Sequence, residues 1–348
     1  MADKVNIEDL IVSDMAKTYG EQIPHLLAHQ LKNELDVYEF QPEDLDRIKY
    51  YIGDLYDKKI LLYKSNLTNL KELGTGRLQL LNYEYLLNAN ISNKIRNEYA
   101  WPLLYILSVL PKIYKSKRFL YRIGDHNKKA TTKGIIAKTR VVSDRSVTLL
   151  KITPYRHWGN VNKVRNYDIP YNQKKDMIVW RGATTGNKKR TATRYDFVSK
   201  YFDDNQIMNV GFSLIVQNME SYSDLLKDRM TLEEQLQYKF LVSLEGNDVA
   251  SGLKWMLYSN SVVMMAKPTI CSWAMEDWLE PFVHYLPLKD DFSNLEEIYQ
   301  WAISNGDACF AIANNATKFI EKFLDLRREL LIECEVMRRY LDNIEILD

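Results

Sequence analysis

Residues 240–266 read FLVSLEGNDVASGLKWMLYSNSVVMMA. An apolar run, Phe240–Leu244, gives way to four small or polar residues, Glu245-Gly246-Asn247-Asp248. The stretch from Val249 to Ser259 has helical spacing, and Ser261–Ala266 is apolar again. Strand, turn, helix, strand at this spacing predicts a parallel sheet with a crossover helix. The pattern extends upstream. Asp176–Gly182 (DMIVWRG) reads as a strand ending in a glycine-containing loop, and Arg194–Phe202 (RYDFVSKYF) as a helix. Thr231-Leu-Glu-Glu234 and Ser293-Asn-Leu-Glu296 are capping-box patterns, each opening a helix. Residues 316–341 (ATKFIEKFLDLRRELLIECEVMRRYL) read as strongly helical.

The first hundred residues carry a different signal and read as helices. Pro42-Glu43-Asp44 puts a proline and two acids at a helix start, before LDRIKYYIGDLY with near-helical apolar spacing. Arg118–Gly124 (RFLYRIG) reads as a strand running into Gly-Asp-His-Asn. The expected class is therefore α/β, with a helix-rich N-terminal region and a Rossmann-like second half.

Composition narrows the function classes. The 348 residues hold 47 Lys+Arg against 46 Asp+Glu, a net charge of +1, with 46% hydrophobic and 27% charged residues. Such a chain is globular rather than disordered, and near-neutrality argues against a general nucleic-acid binder. With 13 Gly and 9 Pro, a loop-rich sandwich is disfavoured. The most apolar stretch, WPLLYILSVL at 101–110, is about half the roughly 20 residues a spanning helix needs. The acids among the first 30 residues do not suit a signal peptide. Cys271, Cys309 and Cys334 are odd in number and form no CxxC pair, so neither a disulfide framework nor a structural zinc site is expected. A cytoplasmic protein is the expectation.

Three places could carry chemistry. At Leu244–Lys254 a strand end turns into a helix, and free N–H groups near a helix N-terminus suit an anion. Gly246 would permit close backbone approach, with Ser251 and Lys254 in the first turns; an ordinary capped βα turn accounts for the same residues. At Trp180–Arg190 (WRGATTGNKKR), with Arg194 beyond, another strand end meets a Gly/Thr/basic loop that would suit a diphosphate. It is neither a Walker A loop nor GxGxxG, and a solvated basic loop would look alike. Asp125 is third. It stands in a stretch, 112–151, with twelve Lys/Arg and two acids, where a carboxylate is available as a base. A turn Asp bonding its own backbone is the plain alternative. The basic stretch itself is either a solvated face or a greeting for an anionic ligand or membrane-bound acceptor. His25 and His29, and the pairs Asp203-Asp204 and Asp290-Asp291, make no convincing metal set.

Several of these motifs stand in the order found in glycosyltransferase family 90. They are IGD at 123–125, KTR at 138–140, VWRGA at 179–183, EGNDVAS at 245–251 and HYLPL at 284–288. From Arg118 to about Leu324 the chain resembles that family of lipopolysaccharide core transferases, fungal capsule proteins and animal protein O-glucosyltransferases, its bacterial branch most of all. The resemblance implies a GT-B fold, two Rossmann-like domains facing across a cleft, here residues 1–165 for the acceptor and 166–324 for the donor. The final helix, about 325–348, would pack back on the first domain. It also implies inverting, metal-independent transfer from a UDP-sugar to a glycan or glycolipid acceptor, such as lipopolysaccharide, with peripheral contact at the inner membrane face. Asp125 matches the family's catalytic base. Arg181, Gly182, Ala183, Glu245, Gly246, Asn247, Asp248, Val249, Ala250 and Ser251 fall in its donor motifs. Arg194, or alternatively Arg190, matches its phosphate-contacting arginine, and Lys254 replaces the basic residue after the turn. A UDP-sugar hydrolase or a non-catalytic nucleotide-sugar binder on the same fold is the competing reading.

Overall fold

Short strands with apolar centres, separated by polar turns and helices, build the part of the chain that holds most of these motifs. The computed structural model describes residues 25–67, 77–92, 94–186, 191–202 and 206–348. They form two units: the residues up to Gly159 together with Phe323–Asp348, and Asn160–Lys322.

The first unit contains strands β1 (Ile60–Tyr63), β2 (Arg77–Leu81), β3 (Phe119–Ile123), β4 (Ile135–Ala137), β5 (Thr139–Val141) and β6 (Val147–Leu149). Four of them make a sheet ordered β2-β3-β4-β6, with β2 antiparallel to β3 and the rest parallel. Residues 124–134, which join the parallel neighbours β3 and β4, contain no helix. Their sequence, GDHNKKATTKG, has Ala130 as its one apolar side chain and so no apolar face with which a crossover helix could pack on the sheet. Helices accompany the sheet elsewhere. Pro42–Ile52 begins with proline in its first turn, as its sequence predicts, and the apolar run at 101–110 lies, all but its last residue, in the helix Asn97–Val109.

The second unit contains β7 (Lys175–Ala183), β8 (Met208–Leu214), β9 (Tyr238–Val242), β10 (Val262–Met265), β11 (Ile270–Ser272) and β12 (Leu286–Pro287). Its sheet is ordered β8-β7-β9-β10-β12, with every neighbouring pair parallel. That is the doubly-wound order 2-1-3-4-5. Strands covered on both faces read as unbroken apolar runs; all four residues of β10, Val-Val-Met-Met, are buried. Ile178, Trp180, Val210, Phe212, Phe240 and Met264 share one core with Phe197 and Tyr299 from two helices. The capping box at Thr231 forms as read: Glu234 N donates to Thr231 Oγ1 (3.1 Å) and Thr231 N to a Glu234 carboxylate oxygen (2.7 Å). The box read at Ser293 does not. Asn294 is the cap of the helix Leu295–Ser304, its side chain bonded to Lys289 N and Pro287 O instead.

The C-terminal stretch is helical, as two helices, Gly306–Glu321 and Leu326–Asn343, the second lying where the final helix is expected; β13 (Ile344–Leu347) follows and pairs in parallel with β1. Asp325 makes the break by capping the second helix, its carboxylate accepting from Arg328 N at 3.1 Å. From Phe323 on, the chain belongs to the first unit. There Glu329 meets Arg47 of the helix Pro42–Ile52 at 2.6 Å, and Arg328 meets Asp44 at 2.6 Å.

Candidate active site

β7 and β9 lie side by side in the second unit's sheet, and the chain order reverses between them. Ligands of open α/β sheets bind outside the carboxyl ends of the strands at such a switch. Both strands run there into glycine-containing loops. Gly186 N donates to Asn247 Oδ1 at 3.0 Å, and Gln217 Nε2, following β8, donates to the same oxygen at 3.1 Å. Arg194 clasps the two loops. Its Nη1 donates to Ala183 O (3.1 Å) and Thr185 Oγ1 (2.7 Å), and its Nη2 and Nε to Leu244 O (3.1 and 3.3 Å). Gly246 sits so close that a Cβ there would lie 2.7 Å from Thr185 Oγ1 and 3.0 Å from Arg194 Nη2. Thr185, Gly186, Thr193, Arg194, Glu245 and Gly246 line a small pocket between the loops.

The helix end in this pocket is not the one the sequence suggests. Residues 248–252 are non-helical, and the helix expected from Asp248 begins only at Leu253 and lasts five residues. Local bonds compete with helix there: Asp248 Oδ1 accepts from Val249 N at 2.8 Å, and Gly246 N donates to Asp248 O at 3.0 Å. The pocket instead receives the N-terminus of the helix Arg194–Tyr201, capped by Thr193, whose hydroxyl accepts from Asp196 N at 3.1 Å. Thr193-x-x-Asp196 is the same kind of capping signal as at Thr231, and it went unread in the sequence.

The remaining donor-side residues divide. Gly182 and Ala183 complete β7. Arg181 turns its guanidinium away from the pocket, to the main-chain oxygens of Trp180, Asn209 and Asp228 and to Asn209 Oδ1 (2.7 Å). Glu245 accepts from Thr269 N (2.8 Å) and Ile270 N (3.0 Å), bracing the chain after β10. Asp248, Val249 and Ala250 are buried, and Ser251 is partly exposed. Lys254 is the clear correction. It is fully buried and paired at 2.5 Å with Glu276, which is itself buried. Burial alone would raise the Glu276 pKa, but the Lys254 ammonium and bonds from Ser272 hold it below the usual value. Lys254 therefore anchors the short helix to the 272–276 turn, out of reach of a ligand in the pocket. Arg190 lies outside the described residues.

Asp125 follows β3 in the first unit. Gly124, with φ 95°, supplies a left-handed turn that an L side chain would strain. The Asp125 side chain is 23% exposed, and its Oδ1 accepts from Lys138 Nζ at 2.8 Å. His126 beside it is 2% exposed, with no hydrogen-bond partner for either ring nitrogen among the described residues. Burial first, and then the Arg122 guanidinium, lower its pKa to about 4, so the ring is neutral at neutral pH. Among the described residues, no group of three or more His, Cys, Asp or Glu could hold a metal ion.

Comparison with known proteins places this geometry. The profile of Glycosyl transferase family 90 matches residues 147–340, more than half of the chain. The chain belongs to glycosyl transferase family 90. This family-90 chain is 32% identical over 203 residues to O-glucosyltransferase LpsA of Dichelobacter nodosus, covering 58% of its own length and 60% of the relative's. It is 29% identical over 181 residues to uncharacterized protein 035R of invertebrate iridescent virus 3, covering 46% of itself and 16% of that protein. Against human protein O-glucosyltransferase 1 it is 28% identical over 102 residues, 27% of this chain and 24% of the other. It thus spans 60% or less of each of these relatives. The family-90 match contains the whole switch-point pocket; Asp125 and Lys138 precede its first residue.

Proposed function

We propose that this family-90 protein moves a hexose or pentose from a UDP-sugar to a hydroxyl of a glycan acceptor, with inversion at the anomeric carbon. The observation that carries the reading is the pair of glycine-containing loops at the β7/β9 switch, clasped by Arg194 and joined by the capped helix end at Thr193. A helix N-terminus and a guanidinium converging there suit a diphosphate. The names of the bacterial and human relatives make glucose the first sugar to test.

In this reading Asp125 takes the proton of the acceptor hydroxyl. The hydroxyl oxygen forms its bond to the anomeric carbon as the bond from that carbon to the UDP oxygen breaks. Charge gathering on the departing UDP is met by Arg194 and the N-terminus of the helix Arg194–Tyr201, a role that requires no metal. A base from one unit and a donor pocket in the other is the division of labour of a GT-B enzyme, and we propose that scheme for this chain. Lipopolysaccharide or another surface glycan is the proposed acceptor class.

Titration calorimetry with UDP tests the donor pocket. Binding is expected to persist in EDTA and to weaken about 10–100-fold in Arg194→Ala, the loss of charge-assisted hydrogen bonds worth about 1.5–3 kcal/mol. No UDP binding by the unaltered protein, or a strict need for added Mn²⁺ or Mg²⁺, would sink the reading.

A further inference from the structure

Lys138 belongs to none of the roles described so far, yet it is placed where the base is. β3 and β4 are parallel neighbours, with Leu120 opposite Ile135 and Tyr121 opposite Ile136. Asp125 and Lys138 thus leave the same edge of the sheet, just beyond the carboxyl ends of adjacent strands. Gly124 turns the first loop there, and the one-residue gap between β4 and β5 is Lys138 itself. Its side chain is only 3% exposed, against 23% for Asp125, and its Nζ donates to Asp125 Oδ1 at 2.8 Å. A buried ammonium on a four-carbon stem is costly to place unless its charge has a use.

We propose that Lys138 is a positioning residue for the reaction: by occupying Oδ1 of Asp125 it fixes the carboxylate plane and leaves Oδ2 as the oxygen that accepts the acceptor's proton. This rests on the reading of Asp125 as the base. Oδ2 accepts no hydrogen bond among the described residues, whereas Oδ1 is taken. A carboxylate at a strand end with no such partner would rotate between orientations, and only some of them would align with an incoming hydroxyl. Misplacement of a reacting group by about 1 Å is enough to cost about 100-fold in rate. Lys138 never touches the substrate; it acts through Asp125. A purely structural lysine, tying residues 124–134 to the β4–β5 corner, would instead show itself in stability and not in turnover.

The experiment is a double-mutant cycle on transfer, with thermal unfolding and UDP affinity measured for each variant. Lys138→Met is expected to lower kcat about 100-fold, with KM for the UDP-sugar and UDP affinity within about twofold, since the donor pocket is in the other unit. Lys138→Arg, which keeps a cationic donor, is expected to recover part of that loss. In an Asp125→Asn background, Lys138→Met is expected to add no further loss, because the group it positions is already gone. Near-normal kcat in Lys138→Met would overturn the proposal, as would a loss that multiplies with that of Asp125→Asn. If Lys138→Met does not fold, Lys138→Arg and Lys138→Gln carry the cycle, and a melting temperature that falls while kcat stays normal also overturns it. The Asp125→Asn arm alone reports on the base: near-normal turnover there would fail the parent reading, separately from any result at Lys138.

Discussion

His126 shows what the residue scale adds. In the sequence it is one of five histidines and the neighbour of a candidate base; nothing about it signals burial. In the structure both its ring nitrogens are buried among groups that give them no bond, and its pKa falls to about 4 from an ordinary 6.5. Between those values the unfolded chain binds more protons than the folded one. The contribution is therefore fully favourable above pH 6.5 and is lost as pH falls toward 4. Over that window it amounts to about 3 kcal/mol. Chemical unfolding at pH 7 and pH 4.5 is expected to show a smaller acid destabilisation in His126→Phe than in the unaltered protein. An unchanged pH dependence would mean that other groups carry it. Lys254 makes the opposite point. A lysine two residues past a glycine-containing turn looks like a phosphate ligand, but Glu276, twenty-two residues on, claims it. Sequence spacing carries no trace of a partner that distant.

At the scale of elements, legibility followed length and period. The helix Pro42–Ile52 and the strands β3, β7, β9 and β10 announce themselves through proline and acids at a start or through unbroken apolar runs. β4, β5 and β6, at three residues each, are too short to show any period, and β8 at the sheet edge was not read at all. The start of the final helix, expected near residue 325, is marked by the cap at Asp325 although the apolar stripe runs on through Phe323–Leu324. One tie of this final helix is the pair Arg47–Glu329, with side chains 1% and 5% exposed and the guanidinium 4.7 Å from the Phe323 ring centroid. Breaking a buried pair from one side strands a charge. Arg47→Met is expected to cost about 3–5 kcal/mol, and the double change Arg47→Met with Glu329→Leu to recover most of it. Chemical unfolding would check this; a double variant as unstable as the single one would show that the pair itself is strongly stabilising.

For the whole molecule, the second unit's class was legible because its parallel strands are apolar on both faces, while the first unit's four-stranded mixed sheet left no comparable pattern. The units meet in sequence at Gly159/Asn160, six residues before the boundary drawn at 165/166, and again at Lys322/Phe323. The basic stretch 112–151 also changes meaning. Arg122, Lys138, Arg140 and Lys151 are buried, and Lys117 and Arg118 pair with Asp342 and Asp348. Much of that charge serves the first unit's own interior and its C-terminal segment, which leaves less of it for an anionic partner. The excess at 112–151 is therefore poor support for a membrane or polyanion site. The central claim is inverting transfer with Asp125 as base, and one measurement tests it most directly. Purified protein is given UDP-glucose and a glycan acceptor, and the anomeric configuration of the product is followed by nuclear magnetic resonance for the unaltered chain and Asp125→Asn. The account predicts a β-linked product from the α-linked donor and a loss of transfer of about 100-fold or more in the variant. An α-linked product, or full transfer by Asp125→Asn, would contradict it.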